Sequence, residues 1–407
     1  MRKIIFLLLV CMLLSGCGTA KQDPSAAAER TILGTERIDE PEYSKLLQGK
    51  ALGLFTNQSG VNGSLELTAD RLGQSYGLKA IYVPEHGFYS AVRAGKKIQN
   101  STYNDVPIYS LYGDNRRPTP AMLEGIDAMV VDIQDVGTRH YTYFSSLAYI
   151  MEECAKLNKD VIILDRPNPL GGAVQGPVLK PEYATFIGLY SIPLRHGLTI
   201  GEYAQYINKE ENINCKLQVI PMKNWKRSML WQDTGLEWVQ PSPLIPTVET
   251  AILYGVTGIC GDTNMAVGVG TAKPFHFVGA EYANAHQLKQ ALDSLGLKGV
   301  RFRSASFIPR YGRNKDKCIQ GVEIYITNPR TVNLPELEYT IASTVMALYP
   351  NNVEFTKRGY KQPGYKADIA LGEDSLRQGE APQQAFARWQ KECEEFQKKA
   401  EPYLLYK

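Results

Sequence analysis

The stretch VVDIQDVGTRHYTYFSS, Val130 to Ser146, starts as a buried strand and turns into a run of polar chemistry. Asp127-Ala-Met-Val-Val131 leads into it, and Asp132, Gln134, Asp135, Arg139, His140, Tyr141 and Tyr143 follow within twelve residues. From about Thr142 to Asn158, Phe144, Leu147, Ala148, Met151, Cys154 and Ala155 recur at helical spacing and predict one core-facing helix stripe. A strand, a polar turn and a helix in that order form the repeating unit of an α/β fold.

Outward from this unit the pattern repeats. Ala51–Phe55, Leu78–Val83 and Val161–Leu164 read as further buried strands, and Leu65–Gln74 as a helix between the first two. The alternation predicts a doubly wound, mostly parallel sheet with helices on both faces. Thr199 with Glu202 three residues on predicts a capping box for a helix over Leu198–Asn208, and Leu217–Ile220 adds a strand. Pro241-Ser-Pro-Leu-Ile-Pro246 breaks regular structure, and the boundary is placed just after it. The first unit then spans 31–248. A smaller α/β unit spans 249–407, with helices over Gln287–Leu295 and Leu337–Leu348 and strands near Val300–Phe302 and Gly321–Ile326.

Composition removes several function classes. Apolar residues make up 44% and charged residues 21%, enough for a large core, and the net charge of +3 comes without a basic run that would grip nucleic acid. Met1-Arg-Lys3 followed by apolar Ile4–Leu14 is too short to span a bilayer and reads as an export signal. Leu14-Ser-Gly-Cys17 resembles the bacterial lipobox, which makes residues 1–17 a lipoprotein signal, Cys17 the lipidated first residue and 18–30 a tether. The later cysteines are scattered, with no CxxC, and read as buried free thiols.

Each predicted strand of the first unit ends in a polar cluster: Thr56–Ser59, Glu85–Gly87, Asp132–Arg139 and Asp165–Pro169. Ligands of open parallel sheets bind beyond the carboxyl ends of the strands, so the four clusters point to one site. No GxGxxG, P-loop or GxSxG elbow is present, and no cofactor is called for. His86, Asp132, His140 and His196 are conceivable metal ligands, yet neither HExxH nor HxH spacing occurs, and no metal site is assigned. Carboxylates with cationic and phenolic neighbours remain, the equipment of acid/base chemistry at a glycosidic bond.

Several longer motifs stand in order: Pro84-Glu-His-Gly-Phe88, Asp132 to Tyr143, Leu164-Asp-Arg-Pro-Asn-Pro169, Arg195-His-Gly-Leu-Thr199 and Trp238-Val-Gln-Pro-Ser-Pro243. With Gly270-Thr-Ala-Lys-Pro-Phe275 and Tyr403-Leu-Leu-Tyr406 they resemble a bacterial exported family that includes exo-β-N-acetylmuramidases. The resemblance runs from about residue 48 to the end. It implies a Rossmann-like first domain, a smaller second α/β domain, a cleft between them, and peptidoglycan-derived amino sugars as partners. The chain departs from the family at Leu244, often Asn there, and at Val267-Gly-Val-Gly-Thr271, often Glu-Gly-Arg-Gly-Thr. The second departure loses a charged pair expected to face the cleft.

On this reading Glu85, set behind a strand, is the expected general acid. Asp132 and Asp135 are candidates for the second carboxylate, or for orienting a substrate acetamido group that itself attacks. Arg139 suits a lactyl carboxylate, with a structural ion pair as its alternative. Asn57, His86, Tyr141, Asp165, Asn168 and His196 complete the expected sugar contacts. Two other readings stay open, a sugar-binding lipoprotein without catalysis and a metal-dependent hydrolase.

Overall fold

Seven strands form the central sheet of the computed structural model, which describes residues 29–93, 95–96, 99–359 and 364–407. Cys17 and most of the expected tether lie outside these residues. The first nine strands are β1 (Ala51–Thr56), β2 (Gly77–Val83), β3 (Ser101–Tyr103), β4 (Val106–Ser110), β5 (Ala128–Asp132), β6 (Asp160–Leu164), β7 (Gln175–Val178), β8 (Pro193–Arg195) and β9 (Lys216–Ile220). The sheet order is β3-β4-β2-β1-β5-β6-β9; every pair is parallel except β3–β4. The chain builds outward from β1 through β2 to β4, then crosses back to β5 and continues through β6 to β9. That reversal puts the carboxyl ends of β1 and β5 side by side, where an open sheet holds its ligand.

Both faces of the sheet are covered, which is why the strands read as unbroken apolar runs. On β5, Met129 and Val131 join the core that contains Phe144, Leu147 and Met151 of helix Tyr143–Lys156. Ala128 and Val130 join the opposite core with Leu72 of helix Thr68–Ser75. That helix starts three residues later than the expected Leu65. Asn62 Oδ1 accepts the amides of Ser64 and Glu66, and Leu65 turns into the left-handed region, φ 64°. The capping box is present: Thr199 Oγ1 accepts the Glu202 amide and Glu202 Oε2 accepts that of Thr199.

The remaining strands, β10 (Phe277–Ala280), β11 (Val300–Phe307) and β12 (Ile319–Ile326), form a separate antiparallel sheet in the order β10-β12-β11. Helix Ala285–Ser294 packs on it, and helix Leu334–Leu348 packs on that helix, as expected for a smaller α/β unit. The sequence reading passed over the β3–β4 hairpin and helix Pro382–Ala400. That helix packs on β7, and the chain end then returns to the first unit. Tyr403 Oη donates to Glu210, the Leu405 amide to Glu202 and Tyr406 Oη to Asp165 at 2.6 Å. Four of the five cysteines in the described residues are buried; Cys318, in the loop just before β12, is exposed and corrects the uniform expectation.

Candidate active site

Glu85 follows β2 by two residues, and the chain turns sharply behind it. His86 and Gly87 both take left-handed dihedrals, φ 77° and 79°, and the His86 imidazole is tied to the Val92 carbonyl at 2.7 Å. A non-glycine residue held there is strained and is kept only where its surroundings fix it. Glu85 is half-buried and its Oε1 accepts the Gly95 amide at 2.9 Å. The Tyr112 phenol lies against the same carboxylate; burial first, then the Glu85 charge, pushes its pKa up to about 12.

Glu85 opens onto a cavity of about 720 Å³. Tyr112, Arg116 and Tyr149 line it from the first unit; Tyr254, Asp262, Lys366 and Ala370 line it from the part of the chain beyond Pro246. Asp262 is the carboxylate on that side. Burial raises its pKa to about 6 against the opposing charges of Lys366 and Arg313. A second, smaller chamber of about 140 Å³ adjoins the cavity, and the two share Glu85, His140, Thr142 and Tyr254.

The expected site residues divide sharply between this cavity and the fold's interior. Glu85 lines both spaces, and His86 and Tyr141 line the smaller one. The Tyr141 hydroxyl turns toward Ser242 and Tyr143 but closes a hydrogen bond with neither. The others serve as internal struts. Asp132 is fully buried, with Oδ1 on Arg166 Nε and Oδ2 on Thr68 Oγ1, each at 2.5 Å. Asp165 accepts from Thr199, Gly201, the Arg166 amide and Tyr406 and touches no cavity surface that a sugar reaches. Asn57 spends its amide on Tyr143 and the Pro241 carbonyl and its oxygen on Ser59. Asn168 bridges Leu198 and Leu170, and Gly137 must be glycine beside it, since a Cβ would stand 2.4 Å from Asn168 Oδ1.

Arg139 was expected to grip a substrate carboxylate. Its guanidinium instead donates to the carbonyls of Pro177, Ile192, Ala370 and Leu371. The last two are the free carbonyls at the end of helix Lys366–Leu371, so Arg139 caps a helix that lines the cavity. Burial lowers its pKa to about 9. His196 is fully buried against Phe144, 3.6 Å from Asp135 Oδ2, and lines neither space. Asp135 accepts the Gly137 amide at 2.6 Å while Oδ1 is buried without a partner, and it lines neither space. These corrections share one cause. Polar groups at buried strand ends are mostly satisfied inside the fold, by side chains such as Arg166 and Thr68 or by backbone carbonyls and amides, which leaves them turned away from the cavity.

What the sequence reading missed sits mainly beyond Pro246. Tyr254 stacks on His140, ring centroids 4.4 Å apart, and its phenol is raised by burial and then by Asp262 and Glu85. Arg116 rests on the Phe186 ring at 4.4 Å. Among the described residues, no group of three or more His, Cys, Asp or Glu side chains converges as a metal site would require.

Behind Asp262, Glu338 Oε1 accepts the amides of Ile259 and Cys260, at 2.6 and 3.1 Å, while its other oxygen is buried without a partner. Burial pushes this carboxyl from 4.5 up to about 8. The folded chain therefore holds this proton more tightly than the unfolded chain, so its contribution to stability falls as pH rises from 4.5 toward about 8. Glu338→Gln stays neutral throughout. Denaturant midpoints measured at about pH 5 and about pH 8 should shift in the variant's favour at the higher pH; an unchanged gap would refute this.

Comparison with known proteins fits this geometry. Residues 52–249 match the family described as exo-beta-N-acetylmuramidase NamZ, N-terminal, and residues 252–406 match its C-terminal counterpart. The chain is 39% identical, over the full length of both, to the peptidoglycan beta-N-acetylmuramidase NamZ of Bacillus subtilis strain 168. Two solved DUF1343-family proteins of Bacteroides fragilis NCTC 9343 share the fold. One is 37% identical with a TM-score of 0.83 and the other 28% identical with 0.71; each comparison covers 93% of this chain and 99% of the other. Matched through both halves and along its whole length, the chain belongs to the NamZ exo-β-N-acetylmuramidase family and is a peptidoglycan glycosidase.

Proposed function

We propose that the chain releases N-acetylmuramic acid from the non-reducing end of peptidoglycan fragments, with Glu85 as the general acid. The observation that carries this is the placement of Glu85 where the two spaces join, with Asp262 on the wall of the larger one. Glu85 gives its proton to the glycosidic oxygen as the bond to the anomeric carbon breaks; Asp262 takes a proton from the attacking water. The reading is tested by incubating the full chain with a muramic acid–glucosamine disaccharide and with a peptidoglycan polymer. Free N-acetylmuramic acid should appear from chain ends without internal cleavage; internal fragments, or no release at all, would overturn it.

The acidic sugar also needs a cation. Arg116 is held on Phe186 at the cavity edge, and among the described residues no carboxylate lies within ion-pair distance of it. This reading moves the lactyl carboxylate from Arg139 to Arg116. Because Arg116 is exposed, Arg116→Gln should raise KM for muramic acid glycosides by only about threefold to tenfold, with kcat little changed. Michaelis curves check this, and an unchanged KM would refute it.

The N-terminal lipobox resemblance supports export and membrane attachment through Cys17. Mass spectrometry of the membrane fraction should find a lipid-modified N-terminus at Cys17, and a free or differently cleaved end would refute this.

A further inference from the structure

The smaller chamber is not explained by acid/base catalysis. Its volume of about 140 Å³ is close to the cavity of roughly 150 Å³ that admits one benzene ring, so it takes a substituent of a few heavy atoms and not a substituted sugar ring. Part of its wall is apolar, from Leu244, Ile245, Phe275 and the Tyr254 ring. Its polar lining is anomalous. Tyr141 and His140 are 8% and 6% exposed, yet among the described residues the Tyr141 hydroxyl only turns toward Ser242 and Tyr143 and the His140 ring only toward the Tyr254 backbone, and none of these polar atoms closes a well-formed hydrogen bond. Buried polar atoms left unmatched are costly and seldom kept without a use.

Both side chains are fixed in place. Tyr141 packs 4.5 Å from Tyr143, which is itself locked by the Pro241 carbonyl and Asn57. His140 stacks on Tyr254, and Gly258 leaves it room, since a Cβ there would stand 2.6 Å from Nε2. Burial, then the Arg139 charge, holds the His140 pKa down at about 3, so the ring is neutral and offers one donor and one acceptor. The chamber therefore presents a phenolic hydroxyl, a neutral imidazole and an apolar wall, and Glu85 is among the residues it shares with the larger cavity.

We propose that this chamber receives the 2-acetamido group of the sugar whose bond is cut, the methyl against Leu244 and Ile245 and the amide against Tyr141 and His140. An acetamide has one N–H, one carbonyl and one methyl, and it is attached to the carbon next to the anomeric centre. A group seated in a chamber with Glu85 in its wall would bring the scissile oxygen toward that carboxyl. The inference rests on the muramidase reading and deepens it, making the chamber a determinant of acyl specificity.

The test uses nitrophenyl glycosides of muramic acid carrying N-acetyl, N-propionyl or N-butyryl groups. For the wild-type chain, kcat/KM should fall at least about tenfold from acetyl to butyryl, the usual effect of overfilling an apolar pocket. Leu244→Ala should raise the butyryl-to-acetyl ratio by about tenfold or more, a gain that general damage to the fold cannot produce. Ile245→Val, a milder change, should move the ratio the same way and serves if Leu244→Ala does not fold. Tyr141→Phe should lower kcat/KM on the acetyl substrate by about tenfold to hundredfold through loss of a buried hydrogen bond. Wild-type indifference to acyl length, or an unmoved ratio in the folded Leu244 or Ile245 variants, would overturn the chamber assignment alone. Wild-type failure to hydrolyse any of the three would instead count against the muramidase reading.

Discussion

Glu85→Gln should lower turnover on a muramic acid glycoside with a sugar leaving group by about a hundredfold to ten-thousandfold, the typical contribution of a general acid. The amide keeps the length of the side chain, and its oxygen still accepts the Gly95 amide that holds Glu85 in wild type. What it lacks is the transferable proton. KM should therefore move far less than kcat, and the unfolding midpoint should stay near wild type because Glu85 is only half-buried and, among the described residues, its carboxylate makes no ion pair. A leaving group that departs readily, such as an activated phenolate, needs little protonation and should recover much of the lost rate. Near wild-type turnover on the sugar substrate would remove Glu85 from the mechanism. Equal large losses on both substrates would make it a nucleophile or an electrostatic stabiliser instead.

The same comparison shows what a linear chain discloses. The strands at Ala51, Leu78, Ala128 and Val161 were legible because a sheet covered on both faces needs side chains that are apolar on both. The helix after Thr199 was legible because its cap is local, a hydroxyl and a carboxyl three residues apart. The β3–β4 hairpin went unread although Asn104 and Asp105, both left-handed, mark its turn; Pro107 in the second strand obscures the pattern. For the site, convergence at one sheet edge was legible but the division of labour was not. Glu85 and Asp132 each stand at the end of a strand. Only the fold brings Arg166 and Thr68 to one of them and open space to the other. Tyr254, Asp262 and Lys366 reach the cavity from more than a hundred residues beyond His140 and belong to no local motif.

That division sets up the second large effect, at Asp132. Its carboxylate is fully buried and answers two groups, Arg166 Nε and Thr68 Oγ1, while the same guanidinium also reaches the Val61 carbonyl. Asp132→Ala leaves a buried cation whose counter-charge is gone, and such a loss costs about 3–5 kcal/mol, because the desolvation of Arg166 is no longer offset. Against a total stability of roughly 5–15 kcal/mol the variant should be marginal, with a much lower denaturant midpoint. The pair as a unit is a different matter. Two charges taken out of water recover little more than their own desolvation, so Asp132→Leu with Arg166→Met should regain much of what Asp132→Ala loses. Kinetics separate this strut from a catalytic carboxylate. Asp132→Asn, measured at low temperature where it is folded, should keep kcat within a few-fold of wild type, whereas Glu85→Gln keeps its stability and loses kcat. A folded Asp132→Asn variant with turnover reduced a hundredfold would return Asp132 to the reaction. Full stability in Asp132→Ala would mean that Arg166 finds another partner, and that the ion pair is not what closes the carboxyl ends of β5 and β6.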